Sequence, residues 1–282
     1  MMHTIGEAIK EMHSLYKEKG VTAQDLRFLV MNNEGYEEPI DVLFAKDKEM
    51  KKYDLFVEQS KRLANNEPVE YIVGMASFLR HQLKVNGDVL IPRGETEELV
   101  SLISEKISEY YNPKNYLVVG DIGTGSGCIP IGIHDNFPNW LLVASDISSK
   151  AMAVAKENFE KEGVHVQTLI GDALEPYIEN KINLDIIVSN PPYILSKEDA
   201  QESVRDYEPA SALWMEKGRS VYESIFRDYK KVKKGALTMF FEISPDLEPW
   251  LIEIMGKYLE DYDYSFHKDL NGDMRFLIVD LK

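Results

Sequence analysis

From residue 94 onward, apolar runs of strand length alternate with amphipathic runs of helix length. Helical periodicity over 95–110 is followed by a strand at 116–121, a helix at 127–135, a strand at 141–145, a helix at 148–161 and a strand at 164–170. A strand at 184–189, a helix near 219–232, a strand at 236–242, a helix at 246–258 and strands near 262–267 and 274–280 close the series. Such alternation implies an α/β fold with a doubly wound, mainly parallel sheet covered on both faces. Sheets of this kind bind ligands at the carboxyl ends of their strands. The residues just after each strand are therefore where function is sought.

The first 67 residues read differently. Thr4 and Glu7 have capping-box spacing, and Ile5, Ala8, Ile9, Met12, Leu15 and Tyr16 form a stripe at helical period. Thr22 can cap a second helix bearing Leu26, Leu29 and Val30, and a later helix carries Met50, Tyr53, Val57, Ser60 and Ala64. A small helical bundle without evident chemistry results. Val69 to Val73, and Leu83 to Leu90 around Asn86-Gly87, read as short strands joined by turns. The expected organisation is a helical domain at 1–67, a β-hairpin linker at 68–91 and a catalytic domain at 92–282.

Charge and composition remove several classes. The 282 residues carry a formal net charge of −16. Residues 1–80 contribute 11 basic and 14 acidic side chains, and the remainder 21 and 34, a net −13. Gripping a phosphate backbone depends on Lys and Arg, so this balance argues against nucleic acid. Cys128 is the single cysteine, which excludes an internal disulfide and a multi-cysteine zinc site. The six histidines show no metal-ligand spacing, and no metal is expected. No apolar run reaches the ~18 residues of a membrane span, and the N-terminus lacks a signal-peptide core. A cytoplasmic location is expected.

The strand ends carry the chemistry. After the first α/β strand comes Asp121-Ile122-Gly123-Thr124-Gly125-Ser126-Gly127. Its glycines allow a tight turn and close approach of backbone to a ligand at a helix N-terminus; a purely structural turn would look the same. A dinucleotide fingerprint would need its third glycine at 128, which is Cys128, so the spacing fits a nucleoside without a pyrophosphate better. Asp146 ends the next strand, 19 residues after Gly127, and reads either as a ribose-binding carboxylate or as a helix cap. Gly171-Asp172-Ala173 follows the third strand; Asp172 could accept from an adenine amino group or be a loop acid.

After the fourth strand stands Ser189-Asn190-Pro191-Pro192-Tyr193, the sharpest signal in the chain. Two prolines stiffen the backbone and remove two N–H donors. What remains is a surplus of acceptors, the Asn190 side-chain oxygen and the backbone carbonyls, with Tyr193 as an aromatic face. Such a slot suits a planar –NH2 group, whose two donors it satisfies. If the electrophile is a methyl sulfonium, an amide or exocyclic amine nitrogen held this way can take the methyl by direct displacement of the thioether, through alignment and fixed dipoles and without a prior general base.

Together these segments resemble class I S-adenosylmethionine-dependent methyltransferases of the amino-methylating branch. Asn66-Glu67-Pro68-Val69-Glu70-Tyr71-Ile72-Val73-Gly74 and Val89-Leu90-Ile91-Pro92-Arg93-Gly94-Glu95-Thr96-Glu97 narrow the resemblance to the PrmC/HemK family. Arg205-Asp206-Tyr207-Glu208-Pro209 with Ala212-Leu213, and Asp269-Leu270-Asn271-Gly272-Asp273 with Arg275, extend it over essentially the whole chain. The resemblance implies methyl transfer to the glutamine amide nitrogen (N5) of the Gly-Gly-Gln motif in class I peptide-chain release factors, by a monomer with no membrane or direct nucleic-acid partner. It implies that Asp121, Gly123, Thr124, Gly125, Ser126, Gly127 and Asp146 hold S-adenosylmethionine. Asp172 and Ala173 would lie beside the adenine, Asn190 would touch both cofactor and substrate, and Asn190, Pro191, Pro192 and Tyr193 would hold the glutamine amide. Gly94, Ala173 and Ser244 depart from the family's usual residues. Two competing readings are an N6-adenine nucleic-acid methyltransferase, which shares Asn-Pro-Pro-Tyr but needs a basic face, and a non-enzymatic binding module.

Overall fold

The computed structural model describes residues 3–110, 116–194 and 201–282. The chain forms two compact units, Met1–Met75 with Gln201–Tyr207, and Ala76–Ala200 with Glu208–Lys282.

The first unit contains α1 (Ile5–Tyr16), α2 (Ala23–Glu34), α3 (Pro39–Phe44), α4 (Tyr53–Leu63) and α5 (Val69–Val73). α1 starts at a capping box: Glu7 N–H donates to Thr4 Oγ1 (3.3 Å), and Thr4 N–H donates to Glu7 Oε2 (3.0 Å). Thr22 and Asp25 repeat the arrangement on α2. Ile5, Met12, Leu26, Leu29, Val30 and Phe56 are buried together. The strand expected over 69–73 is instead the helix α5. Its β-branched composition favours a strand, but Val69, Ile72 and Val73 have i, i+3, i+4 spacing and all pack on this core. Gly74, at φ +77°, ends it in a left-handed cap.

The second unit opens with the hairpin β1 (Met75–Phe78) and β2 (His81–Lys84). The hairpin turn lies at Leu79-Arg80, with Leu79 at φ +51°. The strand expected from Leu83 to Leu90 ends early, at Lys84. Asn86 breaks it by forming an Asx turn, accepting at Oδ1 from Asp88 N–H (2.9 Å). Then come α6 (Gly94–Tyr110), β3 (Val118–Ile122), α7 (Cys128–Asn136), β4 (Leu141–Asp146), α8 (Ser149–Glu162), β5 (Val166–Ile170), α9 (Glu175–Glu179) and β6 (Leu184–Ser189). α10 (Glu202–Tyr207) belongs to the first unit, where Tyr207 Oη donates to the Asn65 carbonyl (2.9 Å). α11 (Ala210–Leu213), α12 (Met215–Asp228), β7 (Lys233–Glu242), α13 (Glu248–Tyr258), β8 (Tyr262–Lys268) and β9 (Met274–Leu281) finish the second unit.

Seven strands form one sheet in the order β5-β4-β3-β6-β7-β9-β8. β5 through β7 run parallel, and β9 is antiparallel to both of its neighbours. This is the doubly wound, mainly parallel sheet that the alternation implies. The chain winds outward through β3, β4 and β5, then returns to place β6 beside β3. That reversal opens a crevice at the carboxyl ends of β3 and β6. Ile186 and Val188 face one helical layer and Ile187 the other, so β6 is apolar on both sides. Each such side chain contributes roughly 1.5–3 kcal/mol of burial.

Two buried hydroxyls tie the crevice floor together. Ser189 Oγ donates to the Ile122 carbonyl (2.6 Å). Tyr177 Oη lies within 3.0 and 3.1 Å of the Asp121 and Val143 carbonyls and donates to them across β3 and β4. Tyr177→Phe should therefore lower stability by about 1–2 kcal/mol, measured by urea unfolding, while leaving far-UV dichroism unchanged.

Candidate active site

A cavity of about 340 Å³ lies at the strand reversal, and its walls come entirely from the second unit. Adjacent registers explain why. Ile122 is level with Ser145 on β4 and with Ser189 on β6, so Gly123, Asp146 and Asn190 leave the sheet together.

The glycine loop uses its three glycines for two reasons. Gly123 and Gly125 have φ of +77° and +56°, a left-handed backbone, and border the cavity with open space where a Cβ would project. Gly127 is a packing glycine: its Cβ would sit 2.6 Å from Phe159 Cε1 on α8. Gly123 and Thr124 donate their N–H groups to the Ser145 carbonyl, each at 2.9 Å, which fixes the loop on β4.

Asp146 faces this loop. Its Oδ2 accepts from Gly125 N–H (3.0 Å) and its Oδ1 from Ser148 N–H (2.8 Å). The helix-capping role belongs to Ser148, whose Oγ accepts from Ala151 N–H (3.2 Å). Burial raises the Asp146 carboxyl above its usual range, and the two backbone donors oppose that shift. Asp172 and Ala173 line the same cavity, with Ala173 strained at φ +43°.

Asn190, Pro191 and Pro192 form the opposite wall. Asn190 Nδ2 donates to Thr96 Oγ1 (3.2 Å), and Thr96 Oγ1 donates to Glu242 Oε2 (2.7 Å). Tyr193 lies outside the cavity lining. Its ring packs on the second helical layer and its hydroxyl donates to Glu242 Oε1 (2.9 Å). The aromatic face expected of Tyr193 is therefore not part of this cavity's lining, and its hydroxyl is held by a buried carboxylate. Tyr222 Oη donates to the Glu242 carbonyl (2.6 Å) and completes a buried polar cluster.

Gly123, Thr124, Gly125, Ser126, Asp146, Asp172, Ala173, Asn190, Pro191 and Pro192 are thus brought to one cavity. Asp121 and Gly127 lie behind it. Asp121 is 1% exposed, and neither of its oxygens, nor the Thr124 hydroxyl, completes a hydrogen bond. Burial pushes its carboxyl up to about 7; the nearby Thr124 hydroxyl opposes this and Asp146 adds to it. Sequence reasoning assigned no role to Thr96, Glu242 or Asn158. Asn158, on α8, donates to the carbonyls of Ser126 (2.8 Å) and Lys84 (3.0 Å), bracing the glycine loop from behind.

The wall chemistry is one-sided. Asp88, Asp146 and Asp172 are its charged residues, and none of the lining residues is Lys, Arg or His. Such a wall repels a pyrophosphate and suits a neutral nucleoside carrying a cation. The open glycine cradle fits the same kind of molecule. Cys128, also in the wall, is pushed up to about 12 by burial, so its thiol is not a nucleophile.

Residues 100–212 match the family model of the methyltransferase small domain. The catalytic domain of human Mettl16 in complex with an RNA hairpin shares the fold (TM-score 0.51, 16% identity, covering 80% of this chain and 81% of that one). So does a 16S rRNA methyltransferase of Thermus thermophilus in complex with AdoMet and guanosine (TM-score 0.52, 16% identity, 74% of this chain and 50% of that one). Sheet order, cavity and match define a methyltransferase. The release factor glutamine methyltransferase of Bacillus subtilis is 35% identical, covering 97% of this chain and 96% of its own. The protein of that name from Lactococcus lactis is 39% identical over 83% of each chain, and that from Flavobacterium psychrophilum is 30% identical over 97% and 96%. The chain belongs to the release factor glutamine methyltransferase family.

The Asp121 carboxyl yields a pH signature. Its pKa is higher folded than in the unfolded chain, near 3.9, so the unfolded state releases the proton first. Its contribution therefore destabilises the ligand-free protein progressively as pH rises from about 4 to about 7. Asp121→Asn should gain stability relative to wild type between pH 5 and 7.5 in urea unfolding. A difference independent of pH would contradict this.

Proposed function

We propose that this protein transfers a methyl group from S-adenosylmethionine to the side-chain amide nitrogen (N5) of the glutamine in the Gly-Gly-Gln motif of class I release factors. The observation that carries the reading is the Asn190-Pro191-Pro192 wall. It has no proline N–H, one N–H of the Asn190 Nδ2 is engaged by Thr96, and it offers the Asn190 Oδ1 and backbone carbonyls as acceptors. The curated relatives bear the name of this activity over nearly their full length.

S-adenosylmethionine, when bound, supplies an electrophilic methyl carbon on a sulfonium. Gly123 to Gly127 give its nucleoside a close backbone floor, Asp146 offers acceptors to ribose hydroxyls, and Asp172 with Ala173 borders the adenine. The acidic wall favours the sulfonium's positive charge. On the substrate side, acceptors engaging both N–H bonds of a glutamine amide hold its plane and draw electron density onto nitrogen. Positioning and fixed dipoles then supply most of the rate, and the nitrogen loses its extra proton to water afterwards.

In this reading the first unit docks the protein substrate and the second, which includes the hairpin expected to be a linker at 68–91, carries the chemistry. The enzyme works as a monomer in the cytoplasm. The described residues contain no helix long and apolar enough to cross a membrane. The exposed apolar side chains of α3, Ile40, Leu43 and Phe44 (81% exposed), are the docking surface in the first unit. The second reading, methylation of adenine in nucleic acid, is disfavoured by the net charge of −16.

Incubation with labelled S-adenosylmethionine and a purified release factor should add one methyl group to the Gly-Gly-Gln peptide, seen by mass spectrometry. Labelling of nucleic acid with an unmodified factor would instead select the adenine reading. Asn190→Ala should cut kcat by roughly 10²–10³, the usual cost of one positioned polar group. Phe44→Asp should raise KM for the release factor about 10-fold, the cost of a lost apolar contact, and leave KM for the cofactor unchanged.

A further inference from the structure

Asn190 is useful to a substrate amide in only one of its two orientations. With Oδ1 toward the cavity it accepts from an amide N–H. With Nδ2 toward the cavity it presents a donor to a donor, and the slot fails. The two orientations have the same shape, so packing does not choose between them. Hydrogen bonding must.

The structure contains a chain of donors and acceptors that makes the choice. Glu242 is buried at 0% exposure, and as a carboxylate it only accepts. It takes the one hydroxyl proton of Thr96 at Oε2 (2.7 Å) and that of Tyr193 at Oε1 (2.9 Å). With its proton committed, Thr96 Oγ1 has only lone pairs to offer Asn190. Asn190 must therefore turn Nδ2 to Thr96, as it does at 3.2 Å, and Oδ1 away. Tyr222 Oη fixes the Glu242 backbone carbonyl (2.6 Å), so the carboxylate has a rigid base.

We infer that Thr96 and Glu242 are positioning residues for methyl transfer, forming a polarity relay that locks the Asn190 carboxamide with its acceptor toward the substrate. The inference rests on the proposed transfer to a carboxamide and adds what orients the group that receives it. Neither residue needs to touch the reacting atoms to act.

The relay depends on the charge state of Glu242. A protonated Glu242 can donate to Thr96, which can then donate to Asn190 Oδ1 and stabilise the unproductive orientation. Around Glu242 stand Glu95 on α6, Cys128 on α7, Tyr193 after β6, Tyr222 on α12 and Arg275 on β9. Burial raises the Glu242 carboxyl, while the hydroxyls of Thr96 and Tyr193 and the charge of Arg275 oppose the rise. Acidification thus lowers the fraction of correctly oriented Asn190, and kcat carries an acidic limb.

The test compares full-length wild type, Thr96→Val, Thr96→Ser and Glu242→Gln with a release factor as substrate. Thr96→Val keeps the shape and removes the relay. Its kcat should fall about 10- to 100-fold while the Kd for S-adenosylmethionine, measured by calorimetry, stays within about 3-fold. Thr96→Ser restores the hydroxyl and should recover turnover to within about 5-fold of wild type. Glu242→Gln cannot titrate and cannot accept at both ends; its kcat should fall at least about 10-fold and lose the acidic limb. A purely structural role would lower the melting temperature and spare kcat and its pH profile. Thr96→Val or Glu242→Gln turnover within about 2-fold of wild type would overturn the relay. A Thr96→Val that does not fold leaves Glu242→Gln to decide. A wild type that methylates no release factor would instead refute the proposed function itself.

Discussion

Parallel pairing of β3 with β4 on one side and β6 on the other is the constraint from which the site follows. Parallel strands on one register end at one level, so three loops distant in sequence emerge side by side. One is the glycine loop, one begins with Asp146, and one begins with Asn190. The buried hydroxyls of Tyr177 and Ser189 clamp these ends by donating to carbonyls of β3 and β4. Chemistry that depends on alignment needs such a floor, because misplacement by about 1 Å costs orders of magnitude in rate.

The cavity divides its tasks by polarity. Part of its lining has carboxylates and open glycines, and part has two prolines and the Asn190 carboxamide. Among the described lining residues there is no Lys, Arg or His, and burial holds the Cys128 thiol protonated. The walls can hold and polarise two molecules, and little else. A single displacement between bound partners asks for nothing more, which is why geometry and electrostatics suffice here.

What was legible in the sequence was local. The Thr4–Glu7 capping box, the glycine spacing at 123–127 and the proline pair at 191–192 each work within a few residues, so their patterns survive in one dimension. The alternation of strands and helices similarly carried the sheet. The misread segment, Val69 to Val73, is short and β-branched, and only its packing against the helical core reveals three-residue spacing. The polar cluster was illegible for a sharper reason. Asn190 and Thr96 are 94 residues apart, and Thr96 and Glu242 are 146 apart. A lone Thr at the start of one helix and a lone Glu at the end of a strand have no pattern until the sheet brings them together. Tyr193 shows the same limit: its type was readable, but its direction was set by a carboxylate 49 residues away.

Three departures from good folding practice lie at or beside this cavity. Asp121 is buried with both oxygens unpartnered, Ala173 holds a left-handed backbone, and Glu242 is an acid within an apolar layer. Each costs on the order of 1–3 kcal/mol in isolation. The groups that support the cavity from behind, such as the hydroxyl of Tyr177 and the amide of Asn158, are satisfied ordinarily. Costs of this kind beside a candidate site are what chemical demand on a fold produces. Glu242 is the clearest case: a leucine would pack more cheaply in its place, but it could not tell Thr96 where to send its proton.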